Sequence, residues 1–310
     1  MEFRKYKQED ESRVVELWNK CLYFDTLTVK KFRKQAILDD NFDDELTQVV
    51  YDNDKLVGFI YATVRKFPYL ERGLEPNRGW INVMFVHPDY QRQGIGSKLL
   101  KFAEEKLKGK EITIGAYSPN YFFWGIDKDH YQSAINFFEK HGYIADSEHY
   151  SMGRDLHGFQ FPEKVQQKKE EAEAQGYKFI NFEYKYTLEL LNFLKEEFGG
   201  GWKRNALMAM QADVAEDVLI LCLDKDDKIC GCCNRAIDGN PMRFGPIGIA
   251  KDKRNAGIGT VLLAYTLYEM SKRGIYRVFF VTTDDPGRRY YERQGFKVIR
   301  TTVEYRKQNG

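Results

Sequence analysis

The chain has 310 residues, of which 43% are hydrophobic and 30% charged, and its formal net charge at neutral pH is +2. This composition is typical of a globular protein, and the length favours two domains. The balanced charge argues against a nucleic-acid partner, and no uncharged apolar run is long enough to cross a membrane. The charged first residues lack the apolar core of a signal peptide, so we expect a cytoplasmic protein.

The cysteines do not form a recognisable metal motif. There are five, at Cys21, Cys222, Cys230, Cys232 and Cys233. The segment 230–233 contains a C-x-x-C, but no second pair or nearby histidine completes a zinc site. We therefore expect buried, reduced thiols and no metal centre.

The first half of the sequence predicts alternating strands and helices. A strand at 1–6, an amphipathic helix around 13–22 and a hairpin over 48–64 come first. A buried strand (79–88) then precedes the turn Gly94-Ile95-Gly96 and a helix with apolar residues at helical spacing. A strand at 111–117, a helix at 133–143 and a further strand complete this half.

The second half repeats the same order. A strand near 177–184, a helix at 187–198 and a hairpin over 218–237 precede a strand at 242–250. The turn Gly257-Ile258-Gly259 opens the next helix, and strand 276–283, helix 287–296 and closing strand 297–305 follow. We predict two mixed α/β domains, residues 1–157 and 177–310. The polar segment 158–176 between them, with Pro162 at a helix start and Gly176 at its end, predicts a solvated linker helix.

The repeated glycine turn is typical of an anion site. Successive N–H groups at the start of a helix face one concavity, and glycine lets a phosphate approach the backbone. A P-loop is excluded because Gly96 is followed by Ser97-Lys98 and Gly259 by Thr260-Val261. A dinucleotide-binding turn is excluded because Leu99 and Leu262 occupy the place of its third glycine.

The pattern Gln/Arg-x-x-Gly-x-Gly after a strand resembles the pyrophosphate-binding motif of the GNAT superfamily of N-acetyltransferases. Both copies match without a gap, and the order of elements extends the resemblance over nearly the whole chain. It implies a tandem of two GNAT domains, an arrangement also found in mycothiol synthases, although no mycothiol-specific signature is present. It implies acetyl-CoA as the cofactor. The residues that would bind it are Phe85, Val86, Gln91, Arg92, Gln93, Gly94, Ile95, Gly96 and Ser97 in the first copy, and Ile249, Ala250, Arg254, Asn255, Ala256, Gly257, Ile258, Gly259 and Thr260 in the second.

The resemblance also separates the two copies by their catalytic residues. The family often uses a Tyr as general acid within Tyr-Glu-x-x-Gly-Phe, and residues 291–296 preserve that signature. The first copy has Phe138 at the matching place, which cannot donate a proton. Both copies lack the Asn that the family commonly carries seven residues earlier, where Asp284 and Tyr131 stand. Tyr291 is the expected general acid. Asp284 or Asp285 either attracts the amine or relays its proton, or is simply a residue favoured at a helix start.

The acceptor is not specified by the sequence. We expect acetyl transfer to the amine of a small molecule or peptide, with the C-terminal domain catalytic and the chain a monomer of two similar domains or a homodimer. Two alternatives stay open: a non-catalytic acyl-CoA or metabolite sensor, and an active N-terminal domain. An aromatic loop at 121–124 either covers a pocket or docks against the other domain, and docking is favoured.

Overall fold

The computed structural model describes residues 1–254 and 257–310, so the predicted cofactor-binding residues Asn255 and Ala256 lie outside the described part. The strands are β1 (Glu2–Lys5), β2 (Thr47–Asp52), β3 (Lys55–Thr63), β4 (Arg78–Val86), β5 (Lys110–Ile114), β6 (Ile126–Asp127), β7 (Ile144–Asp155), β8 (Lys178–Asn181), β9 (Leu219–Leu223), β10 (Ile229–Arg235), β11 (Phe244–Ile249), β12 (Arg277–Phe280) and β13 (Lys297–Asn309). The helices are α1 (Glu11–Cys21), α2 (Val29–Phe32), α3 (Ile95–Lys106), α4 (Gln132–Lys140), α5 (Glu163–Ala174), α6 (Thr187–Phe198), α7 (Gly200–Gln211), α8 (Ala215–Val218), α9 (Ile258–Lys272) and α10 (Asp285–Arg293). The mixed α/β class expected from the sequence is confirmed.

The chain forms two compact units that are not contiguous in sequence. The first comprises Met1–Tyr150, Thr283–Asp285 and Arg300–Gly310, and the second comprises Ser151–Thr282 and Pro286–Ile299. Strands β7 and β13 therefore each contribute residues to both units. The contiguous domains 1–157 and 177–310 describe the two sequence repeats, whereas the compact units exchange short segments between them.

The first unit contains one mixed sheet in the order β1-β2-β3-β4-β5-β13-β7. Strands β1 to β4 are antiparallel, β4 and β5 are parallel, and β13 is antiparallel to β5. Helix α3 contributes Leu99 and Leu100 to the core on one face, and α1 contributes Val14 and Trp18 on the other. The first helix and both hairpin strands follow the sequence pattern because their apolar residues have the period that each element needs.

The second unit contains a four-stranded antiparallel sheet in the order β11-β10-β9-β8, and β12 pairs with the second part of β7. Leu190 and Leu194 of α6 pack on this sheet in one core cluster. Helix α9 is buried on almost every side, including Leu262 and Leu267, which explains its lack of a clear amphipathic pattern. Helices α7 and α8 were not predicted from the sequence.

The local structure agrees with the sequence predictions at some places and departs from them at others. The strand expected at 111–117 ends at Ile114, because Gly115 and Ala116 have φ of +69° and +57°. The linker helix occupies Glu163–Ala174, close to its predicted bounds. The four cysteines of the second half are buried and free, as expected, whereas Cys21 is free but only partly buried. Among the described residues no helix is both long and apolar enough to cross a bilayer.

Two rings of the aromatic loop pack inside the first unit, and docking of this loop against the other domain stays a prediction. The rings of Phe122 and Phe123 lie 4.9 Å and 5.7 Å from that of Trp18, measured between centroids. Tyr121 and Trp124 contact each other edge to face, at 5.1 Å. The rings extend the core of their own unit because the backbone turns at Gly115 and Ala116, where Ala116 N–H bonds to Phe123 O at 2.8 Å.

Candidate functional site: two glycine turns beside two diverging strand pairs

In each unit the glycine turn opens a long helix through a left-handed residue. Gly94 has φ of +82° and precedes α3, and Gly257 has φ of +78° and precedes α9. A Cβ added to Gly94 would meet nothing within 4 Å, so the backbone conformation requires glycine and the space beside it is open. The first N–H groups of both helices have no partner within the helix, which suits a diphosphate.

The first residue of each motif anchors the turn to its own strand. Gln91 Nε2 donates a hydrogen bond to Val86 O at 3.1 Å, and Arg254 Nε donates one to Ile249 O at 3.2 Å. The two contacts are equivalent in the two repeats, since each spans five residues. Part of the reason for Gln or Arg at this position is therefore structural: the side chain fixes the turn at the end of the strand.

The strand before each turn separates from its parallel neighbour. In the first unit the β4–β5 ladder runs only from Arg78–Glu111 to Ile81–Ile114. Among the described residues of the second unit, a single parallel bridge joins Arg243 to Phe279, and β11 then pairs only with β10. In the described part of the chain, the second half of β4 and most of β11 therefore each have one edge without a strand partner. An extended chain can form hydrogen bonds along that edge.

The predicted strand residues do not all face this open edge. His87 N–H bonds to Val57 O of β3 at 2.8 Å, so by alternation the backbone of Phe85 also faces β3 while Val86 and Met84 face the open edge. Phe85 buries its ring against Trp18. In the second unit Ala250 N–H bonds to Cys230 O at 2.8 Å, whereas Ile249 and Ile247 face outward. Met84 and Ile247 were not predicted as cofactor-binding residues. The sequence alone did not show which alternate residues of each strand have their backbone groups on the open edge.

Tyr291 lies beside the diverging strands of the second unit. Its ring centroid is 4.5 Å from that of Phe280 in β12 and 6.4 Å from that of Phe244 in β11. Burial raises the pKa of Tyr291 well above its ordinary value, so the hydroxyl stays protonated across the physiological range. Phe138 is the corresponding residue of the first unit. It packs with Ile81 and Ile114 in the core cluster on the α3 face of the sheet.

The neighbour of Tyr291 reaches the second glycine turn. Burial raises the pKa of Tyr290, and the side chain of Thr260, directly after the motif, partly opposes that shift. In the first unit the equivalent Ser97 hydroxyl lies 3.2 Å from His141 Nε2. His141 Nδ1 lies 2.8 Å from Phe137 O and must donate there, so Nε2 accepts from Ser97 in the neutral imidazole.

The second turn also has a cation that the sequence interpretation missed. The Nζ atom of Lys168 lies 3.8 Å from the position that a Cβ on Gly257 would take. Lys168 belongs to α5, which was expected to be only a solvated linker. Its polar sequence gave no sign that one of its lysines approaches the turn, because that contact depends on how α5 packs against α9.

Asp284 and Tyr291 belong to different compact units. Residues Thr283–Asp285 belong to the first unit, where Thr283 and Tyr150 exchange backbone hydrogen bonds of 2.9 Å and 3.0 Å. Burial lowers the pKa of the His149 imidazole, and the carboxylates of Glu304, Asp146 and Asp284, in that order, partly oppose that shift. A shared catalytic role for Asp284 and Tyr291 remains a prediction.

Family models identify both repeats. The acetyltransferase (GNAT) family model matches residues 11–143, and a GNAT acetyltransferase domain model matches residues 216–298. Together they cover more than half of the chain. An acetyltransferase of Pectobacterium atrosepticum is 28% identical over 107 residues, which are 34% of this chain and 67% of that protein.

Solved structures agree on the fold. A glucosamine N-acetyltransferase region of a fungal multi-domain β-N-acetylglucosaminidase superposes with a TM-score of 0.79 at 20% identity over 99% of this chain, which spans only 38% of that protein. A GCN5-related N-acetyltransferase from Sphaerobacter thermophilus gives 0.70 at 17% identity, covering 99% and 95% of the two chains. A tandem GNAT protein from the clavulanic acid biosynthesis pathway gives 0.64 at 15%, covering 100% and 98%. The chain thus belongs to the GNAT acetyltransferase family and contains two of its domains in tandem.

Proposed function

We propose that this protein is an acetyl-CoA-dependent N-acetyltransferase whose second unit carries out the reaction. The observation that carries the proposal is the position of Tyr291 beside the diverging strands β11 and β12, where the first unit has Phe138. A hydroxyl at that place can donate a proton, whereas a phenyl ring cannot.

The described residues fit acetyl-CoA. The positive φ of Gly257, the start of α9 and the Lys168 ammonium favour a diphosphate, and the open edge of β11 can hydrogen-bond an extended amide chain. When bound, acetyl-CoA supplies a thioester, so that a neutral amine forms the new N–C bond at its carbonyl while the C–S bond breaks and the sulfur leaves as a thiol.

Three tasks then fall to the protein. The outward-facing N–H groups of β11 are available to stabilise a developing oxyanion. Tyr291, kept protonated by burial, supplies a proton to the departing sulfur. The proton lost by the amine nitrogen passes to solvent or to a carboxylate, for which Asp284 is the candidate from the sequence.

The acceptor remains to be found. One structural relative is described as acting on glucosamine, so this amino sugar belongs in a panel with polyamines, amino acids and peptide N-termini. The test measures coenzyme A release from acetyl-CoA across that panel for the wild type and Tyr291→Phe. Release that depends on an amine and on Tyr291 supports the proposal, and release unaffected by Tyr291→Phe contradicts the assignment to the second unit.

Phe138 favours a second role for the first unit, namely acyl-CoA binding without turnover. Its glycine turn has the same backbone conformation and an open cradle. Calorimetry with acetyl-CoA measures the stoichiometry directly. Two sites, one of which is lost in Gly94→Glu without loss of activity, would support a binding role. Binding without any turnover across the amine panel would instead favour a sensor.

A further inference from the structure

Arg243 is a buried cation at the point where β11 and β12 diverge. Arg243 is 7% exposed. The backbone is fixed on both sides, because its N–H bonds to Asn240 O at 2.9 Å and its carbonyl accepts from Ala236 N–H at 2.7 Å. The parallel bridge to Phe279 fixes it further. The position of the Arg243 backbone is therefore set by the fold.

Two of the three nitrogen atoms in the Arg243 guanidinium lack the partners that a buried charge needs. Nε and Nη1 are enclosed without a hydrogen-bond partner among the described residues. The Cζ atom of Arg243 lies 5.9 Å from the ring centroid of Phe279. Arg235, equally buried, donates from Nε to Asp217 O at 2.9 Å. An unpaired buried charge is strongly unfavourable, so it persists where a ligand supplies the counter-charge.

Arg243 is too far from the glycine turn to serve the diphosphate. It precedes the first residue of β11, whereas the turn follows the last, and a six-residue strand is about 20 Å long. By alternation its side chain lies on the face opposite to Phe244, which contacts Tyr291. A register shift in the β10–β11 ladder between Phe244 and Ile247 reverses the alternation, so Gly248 shares the face of Arg243. A Cβ on Gly248 would lie 2.5 Å from the ring of Phe198. Aromatic side chains of α6 and α7 thus cover one end of this face, and Arg243 stands at the other.

We propose that Arg243 binds a carboxylate carried by the amine acceptor of the second unit. The proposal rests on the proposed acetyl transfer in that unit. Nε and Nη1 form one edge of the guanidinium fork, and the two oxygens of a carboxylate match that edge in a bidentate pair. A carboxylate also matches the single positive charge, whereas a phosphomonoester carries nearly two negative charges.

Thermal unfolding of the full chain tests the site without requiring turnover. β-Alanine and L-lysine are compared with their carboxamides and with phosphoethanolamine at matched ionic strength. We expect the carboxylated amines to raise the Tm of the wild type, the carboxamides to have no effect, and Arg243→Met to abolish the response. Arg243→Met should itself keep or raise the Tm, because it removes an unpaired charge from a buried position. Arg235→Met is the matched control, which should lower the Tm and keep the response to carboxylates.

Three outcomes would overturn the proposal. They are an undiminished carboxylate response in Arg243→Met, a response to phosphoethanolamine alone, and a decrease of Tm in Arg243→Met as large as in Arg235→Met.

Kinetic measurements separate this proposal from the proposed function. Arg243→Met should raise KM for a carboxylated acceptor roughly 10- to 100-fold, as expected for lost charged hydrogen bonds, with kcat little changed. If no amine releases coenzyme A but the thermal pattern holds, the proposed function fails and the Arg243 site stands. If carboxylated and amidated acceptors react equally well, and equally in Arg243→Met, the site fails and the function stands.

Discussion

Arg300 Nε donates a hydrogen bond to Asp127 Oδ2 at 2.6 Å, and Nη1 of the same guanidinium donates to Asp25 Oδ1 at 2.6 Å. The three residues come from β13, from β6 and from the segment after α1, all within the first unit. His130 Nδ1 also contacts Asp127, at 2.7 Å. The final strand of the chain is therefore held in the first unit by a charged network as well as by its ladder with β5.

Replacing Arg300 by methionine should destabilise the first unit strongly. Asp127 is 3% exposed and would lose its arginine partner, while its contact with His130 and two backbone N–H donors would remain. We expect the free energy of unfolding to fall by about 3 to 5 kcal/mol, measured by urea denaturation at pH 7. Lys128→Met is the control, because its pair with Glu148 is exposed on both sides and should contribute about 1 kcal/mol or less. Equal effects of the two substitutions would contradict the role of Arg300.

The stability difference between wild type and Arg300→Met should depend on pH. Burial alone would raise the pKa of Asp127, but hydrogen bonds from Arg300 and His130 outweigh it and the pKa is lowered. A carboxyl with a lowered pKa in the folded state contributes stability above its unfolded pKa of about 3.9, and this is lost as the pH falls through the folded value. In Arg300→Met, burial becomes the dominant effect on the pKa of Asp127, and protonation of this carboxylate removes the cost of burying its charge. The difference should narrow from pH 7 to pH 3.5 in urea titrations, and a constant difference would contradict this account.

The sequence predicted the repeated elements but not their division between the units. The spacing of apolar residues in segments such as 13–22 is a local pattern, and it correctly predicted α1 and both hairpins. The placement of residues 300–310 depends on the pairing of β13 with β5, almost two hundred residues away in sequence, which no local pattern records. The positions of Lys168 and Arg243 were missed for the same reason. The glycine turns were found because positive φ and glycine are linked locally.

Tyr291→Phe should lower kcat about 100- to 10,000-fold while leaving KM for acetyl-CoA and thermal stability nearly unchanged, because it removes only the hydroxyl. The raised pKa of Tyr291 further implies that ionisation of this residue causes no loss of activity below about pH 10. Tyr143→Phe is the control, since Tyr143 is a buried tyrosine of the first unit whose hydroxyl has no partner among the described residues. Equal kinetic effects of the two changes would exclude Tyr291 as the general acid.

Arg254→Gln should preserve more acetyl-CoA affinity than Arg254→Ala. Gln91 makes the equivalent contact to its strand in the first unit, so glutamine can anchor the second turn to Ile249 O in the same way. Loss of one such hydrogen bond corresponds to about 1 kcal/mol, or roughly a fivefold rise in KM for Arg254→Ala. Steady-state kinetics over acetyl-CoA concentration measures the difference. If the glutamine variant is as impaired as the alanine variant, the charge of Arg254 matters rather than its anchoring contact.

The central claim is that the second unit is catalytic, and the most direct test compares coenzyme A release by Gly257→Glu and Gly94→Glu. Each places a carboxylate at a glycine with positive φ, and Gly257→Ala and Gly94→Ala control for the backbone strain, about 1 to 2 kcal/mol at either site. We predict that Gly257→Glu lowers the rate at least about 100-fold relative to Gly257→Ala, since it repels the diphosphate, while Gly94→Glu keeps most of the activity of Gly94→Ala. Loss of activity in Gly94→Glu together with full activity in Gly257→Glu would contradict the account.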